Sequence, residues 1–150
     1  MNYYPPIGFY FRVEFEGIGS KTVDTNFQEV SGLTQELEVE KFQEGGVNDY
    51  QHPLPKPVKY PNLVLKRGML PDSKLVDWLN QAMDSFEITP KTINVALLKP
   101  DGEALMSWEF TGAWPIKWEI SGFNAMDNAL VVESIELTYK KFRRVNPNGN

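Results

Sequence analysis

Residue types that usually carry enzyme chemistry are sparse in this sequence. It contains one histidine, His52, and no cysteine, which excludes a cysteine nucleophile and a zinc site of the usual Cys/His composition. The adjacent Gly45 and Gly46 lack the Gly-Lys-Ser/Thr pattern of a phosphate-binding loop. Ser31 lacks the flanking residues of a GxSxG nucleophile elbow. The sequence therefore predicts a protein that is not an enzyme, with no catalytic residue, cofactor or metal site.

A single carboxylate interrupts the apolar face of the last predicted strand. Glu133 lies on the same face as Ile135 and other apolar side chains. A carboxylate on a buried face needs a charged or hydrogen-bonding partner. Arg67 is the first candidate for that partner and Arg12 is the second. We interpret Glu133 as half of a structural charged pair with Arg67.

The composition is that of one ordinary globular domain. The chain has 150 residues, of which 41% are hydrophobic and 23% charged, so we expect a single domain over 1–150 with a frayed tail over about 145–150. The net charge of −5 argues against sequence-specific or phosphate-based nucleic-acid binding. No apolar run approaches the roughly 20 residues of a membrane span, and no signal-like segment is present. We expect synthesis in the cytoplasm, with any export by another route.

One amphipathic helix is predicted over about residues 72–84. Apolar residues recur there at the spacing of a single helical face, and Pro71 suits the start of a helix. Asp72 or Ser73 could cap its first amides. The side chains expected to form the core-facing stripe are Leu75, Trp78, Leu79 and Met83.

The rest of the sequence alternates with the period of two that indicates β-strands. Expected strands cover 9–15, 27–31, 33–41, 62–68, 93–97, 106–121 and 129–140. Pro115 cannot donate a ladder hydrogen bond, so a bend or bulge is expected near Gly112–Pro115 in the longest strand. A long bent strand can serve two packed sheets. The sequence therefore predicts a mainly β fold with one helix.

Three tryptophans lie on one parity of that longest strand: Trp108, Trp114 and Trp118. Such residues could form a carbohydrate-binding platform on a β-sandwich. They share their parity with the other apolar residues of the strand, and a uniform apolar stripe favours core or subunit interface.

Residues 42–61 form a long proline-rich segment that we interpret as an arm. Its alternate prolines remove N–H donors and disfavour pairing as a central strand. Apolar residues such as Tyr50 and Leu54 give the segment anchors that a plain linker would lack. We expect the arm to pack on something, such as another subunit.

Taken in order, these pieces resemble the tail tube proteins of contractile phage tails and bacterial contractile injection systems. The resemblance covers roughly nine tenths of the chain and departs mainly around 18–24, 140–144 and the tail. The matching pieces are Phe11-Arg-Val-Glu-Phe15, Phe27-Gln-Glu-Val-Ser-Gly-Leu33, Glu44-Gly-Gly-Val-Asn48 leading to Leu54-Pro55, Asn62-Leu-Val-Leu-Lys-Arg-Gly68, Leu75 to Trp78-Leu79, Trp108-Glu-Phe-Thr-Gly-Ala-Trp-Pro115 and Val132-Glu-Ser-Ile-Glu-Leu137.

The resemblance implies a fold of two packed, roughly orthogonal antiparallel β-sheets with one flanking helix, related to the hexameric tube protein of type VI secretion. It implies hexameric rings that stack into a hollow tube, made in the bacterial cytoplasm and assembled into a phage tail or injection particle. The implied partners are further copies of the chain, a contractile sheath, baseplate and tube-initiator proteins, and a tape measure and DNA or protein cargo in the lumen. Contacts between subunits and rings are implied at Gly45, Gly46, Tyr50 and Leu54.

Three other functions stay open at the level of sequence. The chain could form the tube-initiating ring on the baseplate, or a secreted ring of the type VI kind. It could also be an independent carbohydrate-binding sandwich that uses the tryptophans. Rings or stacked tubes would separate the first two from the last, which requires a stable monomer with affinity for glycans.

Overall fold

The computed structural model describes residues 10–18, 26–43, 51–68, 73–121 and 131–146. For residues 38, 40–43 and 51–58 it describes the backbone alone. Gly45, Gly46 and Tyr50 lie outside the described residues, as does the predicted frayed tail from residue 147 onward. Leu54 is described by its backbone position only.

Ten strands and one helix make up the regular structure of the described residues. They are β1 (Tyr10–Phe15), β2 (Asn26–Phe27), β3 (Glu29–Ser31), β4 (Glu36–Gln43), β5 (Gln51–Lys59), β6 (Leu63–Gly68), α1 (Lys74–Asp84), β7 (Lys91–Leu98), β8 (Ala104–Ser121), β9 (Val132–Thr138) and β10 (Lys141–Val145). The mainly β, antiparallel fold with one helix is as predicted.

Strand β8 connects two groups of strands. The hydrogen-bonded order is β2-β1-β7-β8-β9-β6-β3, and β10 pairs with β8 as well. The first half of β8, up to Ala113, pairs with β7 and β10. Its second half, Trp114–Ser121, pairs with β9, which pairs with β6, which pairs with β3. We call β2, β1, β7, β10 and the first half of β8 the first sheet, and the second half of β8 with β9, β6 and β3 the second sheet. Their orthogonal packing stays a prediction.

The bend expected in the longest strand is present. Gly112 has φ +67°, a backbone region that side chains other than glycine rarely adopt. The ladder with β9 then shifts register between Pro115 and Lys117, which marks a bulge. The strand changes its set of pairing partners at this point.

The same bend corrects one expectation about β8. The sequence predicts one apolar face running from residue 106 to 120. The buried residues are instead Phe110, then Ala113 and Pro115 on the opposite parity, while Ile116 and Ile120 are 40% and 38% exposed. The irregular backbone at Gly112 and the extra residue of the bulge after Pro115 each move the following side chains to the opposite face of the strand. Trp108, Trp114 and Trp118 are half-buried.

The helix packs over a core that both sheets share. Leu75, Trp78 and Leu79 are buried, and Met83 is half-buried. The indole of Trp78 lies against the Phe15 ring, with centroids 5.7 Å apart. Its Nε1 donates a hydrogen bond of 2.9 Å to the carbonyl of Thr89. The remaining buried apolar residues of the core are Val13, Phe27, Leu63, Leu65, Ala82, Ile93, Val95, Ala96, Leu98, Phe110, Ala113, Ile135, Leu137 and Phe142.

The start of the helix differs from the expectation. It begins at Lys74, with Ser73 at the N-cap position in an extended conformation, and the Ser73 side chain makes no capping hydrogen bond. Its Oγ instead accepts a hydrogen bond of 2.9 Å from Nη2 of Arg67. The Ser73 hydroxyl thus bonds the side chain of Arg67 and not a backbone amide in the first turn of the helix. The predicted alternative cap, Asp72, lies outside the described residues.

An aromatic cluster fixes the junction between β9 and β10. Tyr139 packs edge-on against Phe110, with ring centroids 4.9 Å apart, and Phe142 stacks on Phe110 at the same distance. The Tyr139 hydroxyl donates a hydrogen bond of 2.7 Å to the carbonyl of Pro61. Burial, and secondarily the neighbouring Tyr60, raises the pKa of Tyr139 to about 12.

Part of the predicted arm is a strand. β4 and β5 form a separate two-stranded antiparallel sheet. The ladder tolerates proline, since Pro55 lies opposite Val39 and Pro53 opposite Lys41. In a strand, residues two apart point their N–H groups to the same edge, so alternate prolines leave the other edge able to pair. Within the described residues, β5 pairs on one side only.

Candidate assembly surface

The second half of β8 has an open edge. β9 pairs with it along one side through residues 114–121. On the other side, the ladder with β7 ends at Ala113, and the chain before β7, residues 85–90, is an exposed loop. No described strand pairs with this edge beyond Ala113. Its backbone groups are therefore available to a strand from outside the described fold.

The opposite margin of the second sheet is β3. This three-residue strand pairs with β6 through Glu29, Val30 and Ser31. No other described strand pairs with those residues. The second sheet is thus four strands wide, with a long strand segment at one margin and a short strand at the other.

One face of the second sheet is buried and the other is bare. Alternate residues such as Leu65 and Ile135 point into the core, while Lys66 and Ser134 between them are only partly covered. The helix and the first sheet lie on the core side, since their buried side chains belong to the same cluster. The other side, which we call the bare face, has only half-buried or exposed residues among those described.

The bare face carries charges of both signs arranged across its strands. Lys66 lies directly opposite Glu29, and Lys117 directly opposite Glu136. Lys117 Nζ is also 3.7 Å from Glu119 Oε2. The remaining residues of this face are small or apolar by register: Ser31, Val64, Gly68, Val132, Ser134, Thr138, Ser121 and, at one end, Trp114.

A buried charged cluster lies beneath the second sheet. Arg67 and Glu133 face each other across β6 and β9 and are 2% and 1% exposed. Arg67 Nε donates to Glu133 Oε2 at 2.9 Å. Nε1 of Trp118 donates to the other carboxylate oxygen, Oε1, at 2.7 Å. The Arg67 guanidinium also lies 5.0 Å from the centre of the Phe27 ring.

This cluster joins the open-edged strand to the rest of the fold. Trp118 belongs to β8, Glu133 to β9 and Arg67 to β6, and Arg67 also holds Ser73 at the start of the helix. Buried charges need such partners, because an unpaired charge in the interior is costly. The cluster has a structural arrangement, because its hydrogen bonds join protein groups to one another.

Sequence reasoning identified part of this cluster. The sequence predicts the pairing of Glu133 with Arg67, which the structure contains. The second candidate, Arg12, instead has its Nε 3.2 Å from Oε1 of Glu14. Trp118 and Ser73 were not named as partners. Trp118 lies opposite Ile135, two residues from Glu133. Its contact with Glu133 can therefore be predicted only when the register of the β8–β9 ladder is known.

The predicted subunit contacts are only partly placed. Leu54 lies in β5 opposite Glu40, and the other three residues fall outside the described part of the chain. The pair of strands β4 and β5, which we call the hairpin, presents Leu37 and Val39, which are 58% and 55% exposed. Leu37 and Val39 alternate with glutamates, a pattern that is typical of a strand with one buried face, so the sequence alone does not mark them as exposed.

Residues 8–143 match the model of one protein family, described as the T4-like virus tail tube protein gp19. The chain belongs to the T4-like virus tail tube protein family. The match spans the helix, both sheets and the hairpin, and it confirms the resemblance inferred from the sequence. The chain is thus a tail tube protein.

Solved structures of injection particles contain chains similar to this tail tube protein. A chain of the six-fold symmetrised anti-feeding prophage baseplate is 25% identical, with a TM-score of 0.77 over 97% of this chain and 99% of that one. A chain of the sheath-tube complex of the extracellular contractile injection system PVC is 24% identical, with a TM-score of 0.71 over 94% and 90% of the two chains.

The same fold extends to a more distant protein. A type six secretion system protein is 18% identical, with a TM-score of 0.63 over 91% of this chain and 83% of that one. No match was found among proteins with curated descriptions. The family and the similar structures are those of structural tube proteins and not of enzymes.

No helix among the described residues of the tail tube protein is long and apolar enough to cross a membrane.

Proposed function

We propose that this tail tube protein forms six-membered rings that stack into the inner tube of a contractile injection system. The open edge of β8 is the observation that carries the proposal. An eight-residue edge without a partner among the described strands invites pairing with another chain. A protein that stays monomeric normally covers such an edge with another element.

A ring follows if the two margins of the second sheet pair between neighbours. The margins are different strands, β8 and β3, so the contact is head-to-tail and not self-complementary. Such a contact closes into a ring when its rotation fits the symmetry. Six-fold symmetry is supported by the similar chain of the symmetrised anti-feeding prophage baseplate.

The hairpin is suited to contacts beyond the ring. β4 and β5 form a sheet of their own, and Leu37 and Val39 are exposed on it. We propose that the hairpin contacts a neighbouring subunit or ring, with Gly45, Gly46, Tyr50 and Leu54 in or beside that contact. A sheath outside the tube, a baseplate below it, and a tape measure or cargo within it are the further partners. Synthesis in the cytoplasm precedes assembly into the particle.

A baseplate-bound initiating ring is the second candidate function. The observation that favours it is that the similar chain with a TM-score of 0.77 comes from a baseplate. The two functions differ in self-assembly. A main tube protein forms tubes of many rings, whereas an initiator on its own stops at one ring or a few.

The test is to charge the open edge and compare it with a matched surface site. Ile116 and Ile120 lie on the open-edged half of β8, and Ile88, which is 45% exposed, lies in the loop after α1. Ile116→Lys with Ile120→Lys is expected to keep the monomer folded but prevent rings, because lysines on an edge oppose strand addition. Ile88→Lys is expected to assemble as the unsubstituted chain does.

Native mass spectrometry and negative-stain electron microscopy give the readout, with circular dichroism to check folding. Six-fold rings or tubes are expected from the unsubstituted chain. A stable monomer under all conditions would contradict the proposed function, and glycan affinity of that monomer would favour a carbohydrate-binding module. Normal rings from the doubly charged edge variant would show that the edge is not the subunit contact.

A further inference from the structure

We infer that Trp118 is a positioning residue for assembly: its hydrogen bond to Glu133 holds the open-edged half of β8 extended and in register, ready to pair with a neighbouring subunit. This role rests on the proposed function, in which that edge is the subunit contact. Trp118 prepares the edge from the core side and makes no contact with the neighbour itself.

The last six residues of β8 have few contacts with the interior. Within residues 116–121, Trp118 is half-buried and the other five are exposed. The Trp118 ring packs against the core that both sheets share. Among the described strands, only β9 pairs with this segment, along one side. A segment with one-sided pairing and exposed side chains opens locally at a small cost in free energy. Trp118 is therefore its main attachment to the core.

A hydrogen bond to a fixed carboxylate holds the Trp118 side chain. Its Nε1 donates to Oε1 of Glu133 at 2.7 Å, a short distance of the kind found with charged acceptors. The carboxylate is held from its other side, because Nε of Arg67 donates to Oε2 at 2.9 Å. Glu133 is 1% exposed, so water has little access to replace the indole as a donor.

Arg67 is held in place in its turn. Its Nη2 donates to the Ser73 hydroxyl at the start of the helix, at 2.9 Å, and its guanidinium lies 5.0 Å from the centre of the Phe27 ring. A group whose partners are themselves fixed has one well-defined position. The contacts thus run from the helix and β2, through β6 and β9, to the open-edged strand.

The same bond selects the register of the segment. The β8–β9 ladder shifts between Pro115 and Lys117, so the segment begins directly after a bulge. A slip of one residue there would send every following side chain to the opposite face of the sheet. Trp118 lies opposite Ile135 on the core face. After such a slip the indole would leave Glu133, and a buried carboxylate oxygen would lose its donor, which is costly.

A neighbouring strand can add only to an edge that is extended and in register. The apparent affinity of a contact falls in proportion to the fraction of subunits in the conformation that binds. An edge that opens or slips therefore weakens assembly even when nearly all subunits stay folded. The Trp118 side chain is directed at the core, so it acts on the contact through the backbone of β8.

The test makes one substitution at two tryptophans. Trp118→Phe removes an indole donor beneath the open edge. Trp78→Phe removes an indole donor on the helix, where Nε1 bonds the Thr89 carbonyl at 2.9 Å. Urea denaturation of the subunit is expected to show a loss of stability for both variants. Dilution followed by native mass spectrometry gives the concentration at which half of the rings dissociate. Only Trp118→Phe is expected to raise that concentration, by roughly fivefold for one lost hydrogen bond.

Hydrogen exchange of the free subunit tests the edge directly. The amides of residues 116–121 that bond β9 are expected to exchange roughly tenfold faster in Trp118→Phe, and at an unchanged rate in Trp78→Phe. If Trp118→Phe does not fold, benzothienylalanine introduced at position 118 serves instead, because it keeps the ring shape and replaces the N–H by sulfur.

A dissociation concentration for Trp118→Phe equal to that of the unsubstituted chain would overturn the inference. Equal increases in the two variants would also overturn it, since they would trace the effect to stability in general. Absence of rings from the unsubstituted chain would instead contradict the proposed function. The exchange comparison would then still show whether the indole bond holds the edge, and unchanged exchange in Trp118→Phe would exclude that role.

Discussion

At the scale of single residues, the most consequential feature is the buried Arg67–Glu133 pair. Its members are almost inaccessible to water, and each makes a further hydrogen bond, to Ser73 and to Trp118 respectively. Removing one partner of such a pair is more harmful than removing both, because it leaves a bare charge in the interior.

Glu133→Ala is therefore expected to lower the free energy of unfolding by about 3–5 kcal/mol, measured by urea denaturation of the subunit. The control is Glu119→Ala, which removes a glutamate 56% exposed on the same sheet and should change it by under about 0.5 kcal/mol. The double change Arg67→Met with Glu133→Leu should be less harmful than Glu133→Ala. Equal losses for Glu133→Ala and Glu119→Ala would argue against a structural role of the pair.

A second residue-scale prediction concerns alkaline pH. Burial and Tyr60 raise the pKa of Tyr139 to about 12, from 10.0 for an unperturbed tyrosine. Between these two values the unfolded chain releases the proton and the folded chain keeps it, so stability is complete below pH 10 and falls as the pH rises towards 12. Tyr139→Phe should flatten this fall in the melting temperature, while at neutral pH it should cost about 1 kcal/mol for the lost hydrogen bond to Pro61.

The comparison is between melting curves at intervals from pH 9 to 12, with Tyr10→Phe as the control at a 36% exposed tyrosine. An alkaline fall that is identical in the Tyr139→Phe variant and the unsubstituted chain would exclude Tyr139 as its source.

Residue types alone account for part of this cluster. A carboxylate on an apolar strand face requires a partner, and this requirement pointed to Glu133 and Arg67. The contributions of Trp118 and Ser73 depend on how β8 aligns with β9 and on where the helix starts. Both alignments are set by contacts between segments far apart in the chain, which a local pattern does not contain.

At the scale of elements, the helix supports the core side of the fold. Trp78 packs against Phe15 and donates to the Thr89 carbonyl. Trp78→Ala should destabilise the subunit by about 3–5 kcal/mol, because it leaves a large cavity. The loop residue Phe86, 84% exposed, offers a control: Phe86→Gly should be neutral or slightly stabilising, since Phe86 has a φ of +55° that glycine adopts more easily.

Chemical denaturation of both variants measures this difference. A loss below about 1 kcal/mol for Trp78→Ala would mean that this stripe is an interface and not part of the core.

Elements with strong local signals were the most predictable. The helical stripe and the bend near Gly112–Pro115 both follow from residue type and spacing, and the structure has both. The face of β8 and the strand β5 were harder. In β8, the bulge moves side chains to the opposite face because the partner strand β9 sets the register. In β5, the alternate prolines are compatible with a ladder because β4 pairs with the edge of β5 that the prolines do not face.

At the scale of the whole molecule, the surfaces that no described element covers or pairs with lie apart from one another. The open edge of β8, the bare face of the second sheet and the exposed apolar residues of the hairpin are distinct. A ring with a channel and a stacked neighbour would use each of them once. The family model matches residues 8–143, so all three surfaces lie within the part of the chain that the tail tube family shares.

Deleting residues 46–56 tests the role assigned to the hairpin. The deletion removes most of β5 and is expected to leave single rings that do not lengthen into tubes, because the proposed contact between rings is lost while the margins of the second sheet remain. Tube length in electron micrographs is the measurement, and the loop substitution Ile88→Lys is the control. Unchanged tube length would show that the hairpin makes no necessary contact.

The continuity of β8 has a mechanical consequence. A tube driven through an envelope is pushed along its axis, and force that slides one sheet of a subunit over the other would ordinarily be opposed by side-chain packing alone. Here one strand of 18 residues runs through both sheets, with backbone ladders to β7, β9 and β10. Sliding the sheets apart would stretch a covalent chain and break these ladders together, so the subunit should yield at its contacts with neighbours before it yields within.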